Sequence, residues 1–198
     1  MPSFALPDSC LLDILTLSDR GDPPPSWARE WAEAVPVHAH IDVGRRRASQ
    51  RNLWAVRLDE AVRRTEAPAL IVAYGVSCFA LAWWARLSPA PYFERVAGAL
   101  LVRPLGAGAA FPRGYAGPKT VLPFRSTVVG DGEGDWQAQD LARSWGSGFV
   151  GFDGFDRDEE GLGARALRLG TGLIERLAAP KPSLGRRNQG SGCPAPAL

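Results

Sequence analysis

The chain has 198 residues, with 23 Lys and Arg against 21 Asp and Glu, a net charge of +2 with neutral histidine, and a pI of about 8.6. So small a surplus excludes a strongly electrostatic binder of nucleic acid, which concentrates a much larger basic excess on one face. Only two histidines occur, His38 and His40, and this excludes any mechanism that draws a histidine base from the C-terminal half.

Short apolar runs alternate with amphipathic stretches along the chain. Cys10 to Leu17 predicts a first strand, Trp27 to Ala34 a helix, and Val35 to Val43 a second strand interrupted early by Pro36. From Leu53 to Arg64, the residues Trp54, Leu58, Ala61 and Val62 share one helical face, with charges on the other. Ala69 to Ala73 predicts a third strand, continuously apolar as a parallel strand covered on both faces is, and a helix from Val76 to Leu87 follows at once. Val96 to Val102 predicts a fourth strand and Thr127 to Val129 a short fifth. Trp136 to Trp145 predicts a helix with Leu141, Ala142 and Trp145 inward, and Phe149 to Phe152 a sixth strand. Leu162 to Ala179 predicts a closing helix with Leu169, Leu173, Ile174 and Leu177 on its apolar side. This order implies an α/β fold, a three-layer sandwich of about six mostly parallel strands with helices on both faces, because parallel neighbours need right-handed crossovers. Ligands in such a fold sit at the C-terminal ends of the strands.

The 22 glycines and 17 prolines make up about a fifth of the chain, well above the usual ~12%, and place part of it in loops or a tail. Residues 103–122 form a Gly/Pro-rich stretch of the kind used as a lid or binding loop. Residues 180–198 carry three cations, no acid and few apolar side chains, the composition of a disordered basic tail. The expected organisation is an N-terminal tail over 1–8, one domain over 9–179 and the tail over 180–198. Cys10, Cys78 and Cys193 are widely spaced and odd in number, which suggests neither a disulfide framework nor a zinc site. No basic region followed by an apolar run opens the chain, so a secretory signal is not expected and a reducing cytoplasm is the simplest compartment. Residues 67–85 run 19 positions without a charge, close to a membrane span, but Pro68, Gly75 and the change from β-branched to helix-forming residues read better as strand, turn and buried helix.

The turn Ala73-Tyr74-Gly75-Val76-Ser77-Cys78 lies between the third strand and its helix. A nucleophile elbow has the form small-x-nucleophile-x-small, with a strained apex and small neighbours two away so that strand and helix can approach. Ala73 and Ser77 meet that demand around Gly75. Here the sequence resembles the small α/β-hydrolases of the YdeN and retinoblastoma-binding-protein-nine type, serine hydrolases whose elbow has the form A-H-S-L-G-C. The likeness covers most of residues 10–178. Trp27 and Trp31 match a paired-tryptophan segment, with Ser26 in place of its histidine. Arg95 to Val102 and Pro104 match R-V-A-G-A-L-L-V-x-P, Leu122-Pro123-Phe124 matches L-P-F, and Ala142, Trp145 and Gly146 match A-x-x-W-G.

Departures from the family pattern fall on the catalytic positions. The resemblance places Gly75 at the nucleophile, Gly134 at the triad acid and Phe155 at the triad histidine. Glu133 and Asp135 flank the acid position, but no histidine follows His40. An unactivated serine hydroxyl is a poor nucleophile at neutral pH, so the family's hydrolysis is not expected and a binding or regulatory protein is. The alternative is a weak esterase using Ser77 or Cys78 as nucleophile. For both, packing is the competing reading: Ser77 holds the small position, and the family form itself has Cys where Cys78 stands.

His38 and His40 alternate on a strand and could chelate a metal with a third ligand, but a bare H-x-H more often marks solvated or hydrogen-bonded histidines. Gly106-Ala107-Gly108 lacks the third glycine of a dinucleotide turn, Phe111 standing in its place, and the run Asp153, Asp156, Asp158, Glu159, Glu160 has neither the spacing nor the glycine of an EF-hand. No cofactor or metal is expected. Residues 131–160 hold nine acids and two bases, a local −7 against +9 elsewhere. These loops border the mouth above the elbow in the fold the resemblance implies. The expected pocket rim is Tyr74, Val76, Asp131, Glu133, Asp135 and Asp156, suited to a cationic small molecule or a basic protein segment, with repelling loop charges as the alternative.

Overall fold

A computed structural model describes residues 12–19, 37–43, 53–105 and 119–151. Their elements in chain order are β1 (Asp13–Ser18), β2 (Val37–Asp42), α1 (Leu53–Arg64), β3 (Ala69–Tyr74), α2 (Ser77–Leu87), α3 (Ala90–Phe93), β4 (Val96–Val102), β5 (Ser126–Gly130), α4 (Trp136–Trp145) and β6 (Gly148–Gly151). The strands form one six-stranded sheet in the order β2-β1-β3-β4-β5-β6, every pair parallel. The predicted helices over 27–34 and 162–179, the middle of the 103–122 loop, and both tails lie outside the described residues.

The steps β2 to β3, β3 to β4 and β5 to β6 all move the same way across the sheet. Right-handed crossovers therefore lay α1, α2 and α4 on one face. In register, Leu15, Ala39, Ile71 and Ala99 point to that face, as do Leu101 and Val128. They share a core with Leu58 and Val62 of α1, Phe79 and Leu81 of α2, and Leu141 and Trp145 of α4. The opposite face carries Ile14, Leu70, Val72 and Leu100, also buried. Burial on both sides explains why β3 and β4 are apolar throughout rather than alternating.

Side-chain caps fix where elements begin and end. The Asp13 carboxylate accepts from the backbone N–H groups of Glu66 (2.7 Å) and Ala67 (3.0 Å), tying the start of β1 to the turn that enters β3. At the end of α1, Arg95 donates to the carbonyls of Val62 and Thr65, the orphan acceptors of a helix C-terminus. Trp84 of α2 donates to Asp59 of α1 at 2.7 Å and stacks edge-on with Phe93 of α3. The 67–85 segment divides into β3 and the 11-residue α2, and no helix among the described residues is long and apolar enough to cross a membrane.

Candidate functional site

From β1 the chain passes to β2 on one side and returns to β3 on the other. The C-terminal ends of β1 and β3 are therefore the topological switch point, where open α/β sheets leave a crevice for ligands. Ser18 and Asp19 end β1 there, both 7% exposed, and Tyr74 and Gly75 end β3.

The elbow expected between Ala73 and Cys78 is formed. Gly75 takes φ +56°, and its N–H donates to the carbonyl of Val102 on β4 at 2.9 Å. The Gly75 carbonyl accepts from Cys78 N–H at 3.1 Å and the Val76 carbonyl from Phe79 N–H at 3.1 Å, so the chain turns from strand to helix within three residues. A side chain at this φ costs on the order of 1–2 kcal/mol, which glycine avoids. The turn thus has the backbone form of an elbow, with glycine at its apex.

The two fallback nucleophiles, Ser77 and Cys78, are both enclosed. Ser77 is fully buried, and its Oγ finds no hydrogen-bond partner among the described residues. Cys78 is also fully buried; its Sγ donates to the carbonyls of Ala73 (3.3 Å) and Val102 (3.7 Å), contacts that favour the thiol over the reactive thiolate. Tyr74 and Val76, expected at the rim, are 4% and 9% exposed. Burial, with the neighbouring Cys78 second, pushes the Tyr74 phenol far above its ordinary value, so it stays protonated and offers no base.

The loop after β5 carries Gly134, the residue that the sequence resemblance sets at the acid position. Gly134 is exposed, and a Cβ built on it would meet nothing within 4 Å. The acids around it are engaged within the chain. The Asp135 carboxylate caps α4, accepting from Ala138 N–H and from Asp131 N–H, each at 3.0 Å. Glu133 accepts from Gly151 N–H at 3.3 Å. Asp131 pairs with Arg103 at 2.9 Å. Sequence reasoning missed Arg103, a non-glycine residue at φ +45° directly after β4, held there by its N–H on the Val129 carbonyl (2.8 Å) and by the ion pair. Asp156 and Phe155 lie outside the described residues. Because Asp135 closes both the helix and the loop, Asp135→Ala is expected to lower stability by about 1 kcal/mol, read as a lower urea midpoint at unchanged slope.

Of the two histidines, His40 lies beside β1, where strand register sets it opposite Thr16. Its Nδ1 is 2.8 Å from Thr16 Oγ1 and its Nε2 3.3 Å from Ser18 Oγ. The ring thus spans two hydroxyls that sit two residues apart on one strand. No group of three or more His, Cys, Asp or Glu among the described residues is arranged to hold a metal.

A family model described as serine hydrolase matches residues 18–155, a span that includes the end of β1, the elbow and the loop after β5. In fold the chain is similar to a YdeN-like hydrolase from Pectobacterium atrosepticum, with a TM-score of 0.60 at 16% identity, over 84% of this chain and 92% of that one. No curated relative matches the sequence.

Proposed function

The chain belongs to the serine hydrolase family, and from that premise we propose that it is a member whose elbow no longer hydrolyses and which serves as a binding or regulatory protein. The observation that carries this reading is Gly75: it occupies the strained apex at φ +56° and has no atom to attack a carbonyl. The sequence adds that no histidine follows His40 to act as base. In triad enzymes, loss of nucleophile and base removes most of the acceleration beyond binding and oxyanion effects. The ligand of such a protein would occupy the crevice at the ends of β1 and β3.

The competing reading, a weak esterase using Ser77 or Cys78, is tested by the same experiment. The protein is treated with a fluorophosphonate, the adduct is mapped, and hydrolysis of a short-chain ester is followed. No adduct is expected within the elbow, and ester turnover is expected close to the buffer rate. Stoichiometric labelling abolished by Ser77→Ala would overturn the proposal. That variant is a clean control, because deleting a buried hydroxyl that has no partner among the described residues relieves a desolvation cost of roughly 1–3 kcal/mol. Ser77→Ala is thus expected to melt at or above the wild-type temperature.

A further inference from the structure

We infer that Ser18, His40 and Thr16 form a second reactive site, in which Ser18 is a slow nucleophile toward activated acyl groups such as esters and thioesters. This goes beyond the reading of the elbow, because the site uses different residues on different strands.

The argument starts from register. Leu17 pairs with Ala73, so Ser18 lies level with Tyr74, one strand away from the elbow and one residue below its apex. On its other side β1 pairs with β2, Thr16 opposite His40. Thr16 and Ser18 alternate with Leu15 and Leu17, so both hydroxyls rise from the same face of β1. They bracket the imidazole at 2.8 Å (Nδ1) and 3.3 Å (Nε2). The connectivity is that of a catalytic triad: nucleophile to Nε2, positioning group to Nδ1. Thr16 stands where such triads have a carboxylate. Thr16 and Ser18 are each 7% exposed and His40 is exposed, and Ser18 ends β1 at the switch point, where folds of this kind take ligands.

In the required tautomer His40 Nδ1–H donates to Thr16 Oγ1, and Nε2 accepts from Ser18 Oγ–H. Ser18 Oγ then attacks the ester carbonyl carbon, and its proton moves to His40 Nε2. The tetrahedral intermediate collapses by breaking the bond to the leaving alkoxide, which takes the proton from Nε2 and departs as the alcohol. Ser18 is left as an acyl ester and His40 neutral. A threonine orients the ring and its tautomer but carries no negative charge to stabilise the imidazolium as a carboxylate does. Acylation is accordingly slow, and attack by water on the acyl ester slower still. The expected behaviour is stoichiometric capture of an acyl group with little turnover, which is compatible with a binding protein.

The test uses the full-length wild-type chain and a small alkyl fluorophosphonate, with tandem mass spectrometry to place the adduct. Over hours, one adduct on Ser18 is expected, absent in Ser18→Ala and reduced at least ~10-fold in His40→Gln. Labelling persists in Ser77→Ala. For the positioning role, Thr16→Val keeps the shape and removes the hydroxyl, so labelling slows, whereas Thr16→Ser restores it. Each variant is checked by its thermal melt, and the wild-type mapping does not depend on any variant folding. An unmodified wild-type protein, an adduct at another residue, or labelling unchanged in folded His40→Gln would overturn the inference. An adduct at Ser77 alone would overturn the reading of the elbow as well, whereas an unmodified protein overturns this inference and leaves that reading standing, so the two failures are distinct.

Discussion

Gly151→Ala is expected to destabilise the fold by about 3 kcal/mol, the upper range for forcing atoms into a packed site. Gly151 ends β6, and a Cβ built on it would press into the backbone at Gly132 and Glu133, closer than real Cβ atoms approach. Those atoms are main chain and cannot rotate away as a flexible side chain would. The loop they belong to is tied at both ends, by Asp135 on Asp131 N–H and by Glu133 on Gly151 N–H itself. Gly134, in the same loop, is the internal control: a methyl group there would meet nothing within 4 Å, so Gly134→Ala is expected to shift stability by less than 1 kcal/mol. Urea unfolding of the two variants measures the contrast. Equal stabilities would mean that β6 and the loop do not touch as described.

Trp145→Ala is expected to cost about 3–5 kcal/mol, the range for emptying a buried aromatic site. Trp145 is 1% exposed and closes α4 against the sheet, with its ring edge-on to Phe79 of α2 at 5.5 Å between centroids. Its carbonyl accepts from Leu122 N–H at 2.9 Å, and Gly146 beyond it caps the helix at φ +64°. One side chain therefore joins the helix that follows the acid loop to the helix that follows the elbow. A thermal melt lowered by several degrees checks the prediction, and a shift of a degree or less would contradict it. Because Phe79 lies two residues after Ser77, the same variant is expected to loosen the elbow, seen as faster amide exchange at Gly75 and Cys78.

Much of the fold is legible in the sequence because its signals are local. The spans 53–64, 96–102 and 136–145 match their predicted bounds to the residue, since an amphipathic period or an unbroken apolar run is written in the segment itself. Asp135 before α4 and Gly146 after it punctuate that helix in the expected way. The four-residue α3 escapes, being too short for any period, with Pro89 before it and Pro91 as its second residue. The elbow is legible for the same local reason: small residues around a tight turn between a buried strand and a helix.

Sequence alone is enough to determine the glycine at the apex and the lack of any histidine after His40, the two features on which the proposed loss of the family's chemistry at this turn rests. It also sets the order of elements, from which the parallel sheet follows. Only the tertiary structure decides which side chains meet. The two histidines read as a possible chelating pair or as solvated or hydrogen-bonded residues, and strand register is what puts Thr16 and Ser18 around His40. The acidic stretch after β5 reads as a pocket rim or as repelling loop charges, and only the structure sets Asp131 on Arg103 and Asp135 on the start of α4. Ser77 reads as a packing residue or as a nucleophile in reserve, and only the structure places it fully buried. The division has one physical cause. Residue type and periodicity are properties of a segment, whereas register, burial and pairing are set by packing between segments distant in the chain, and no segment encodes its partner.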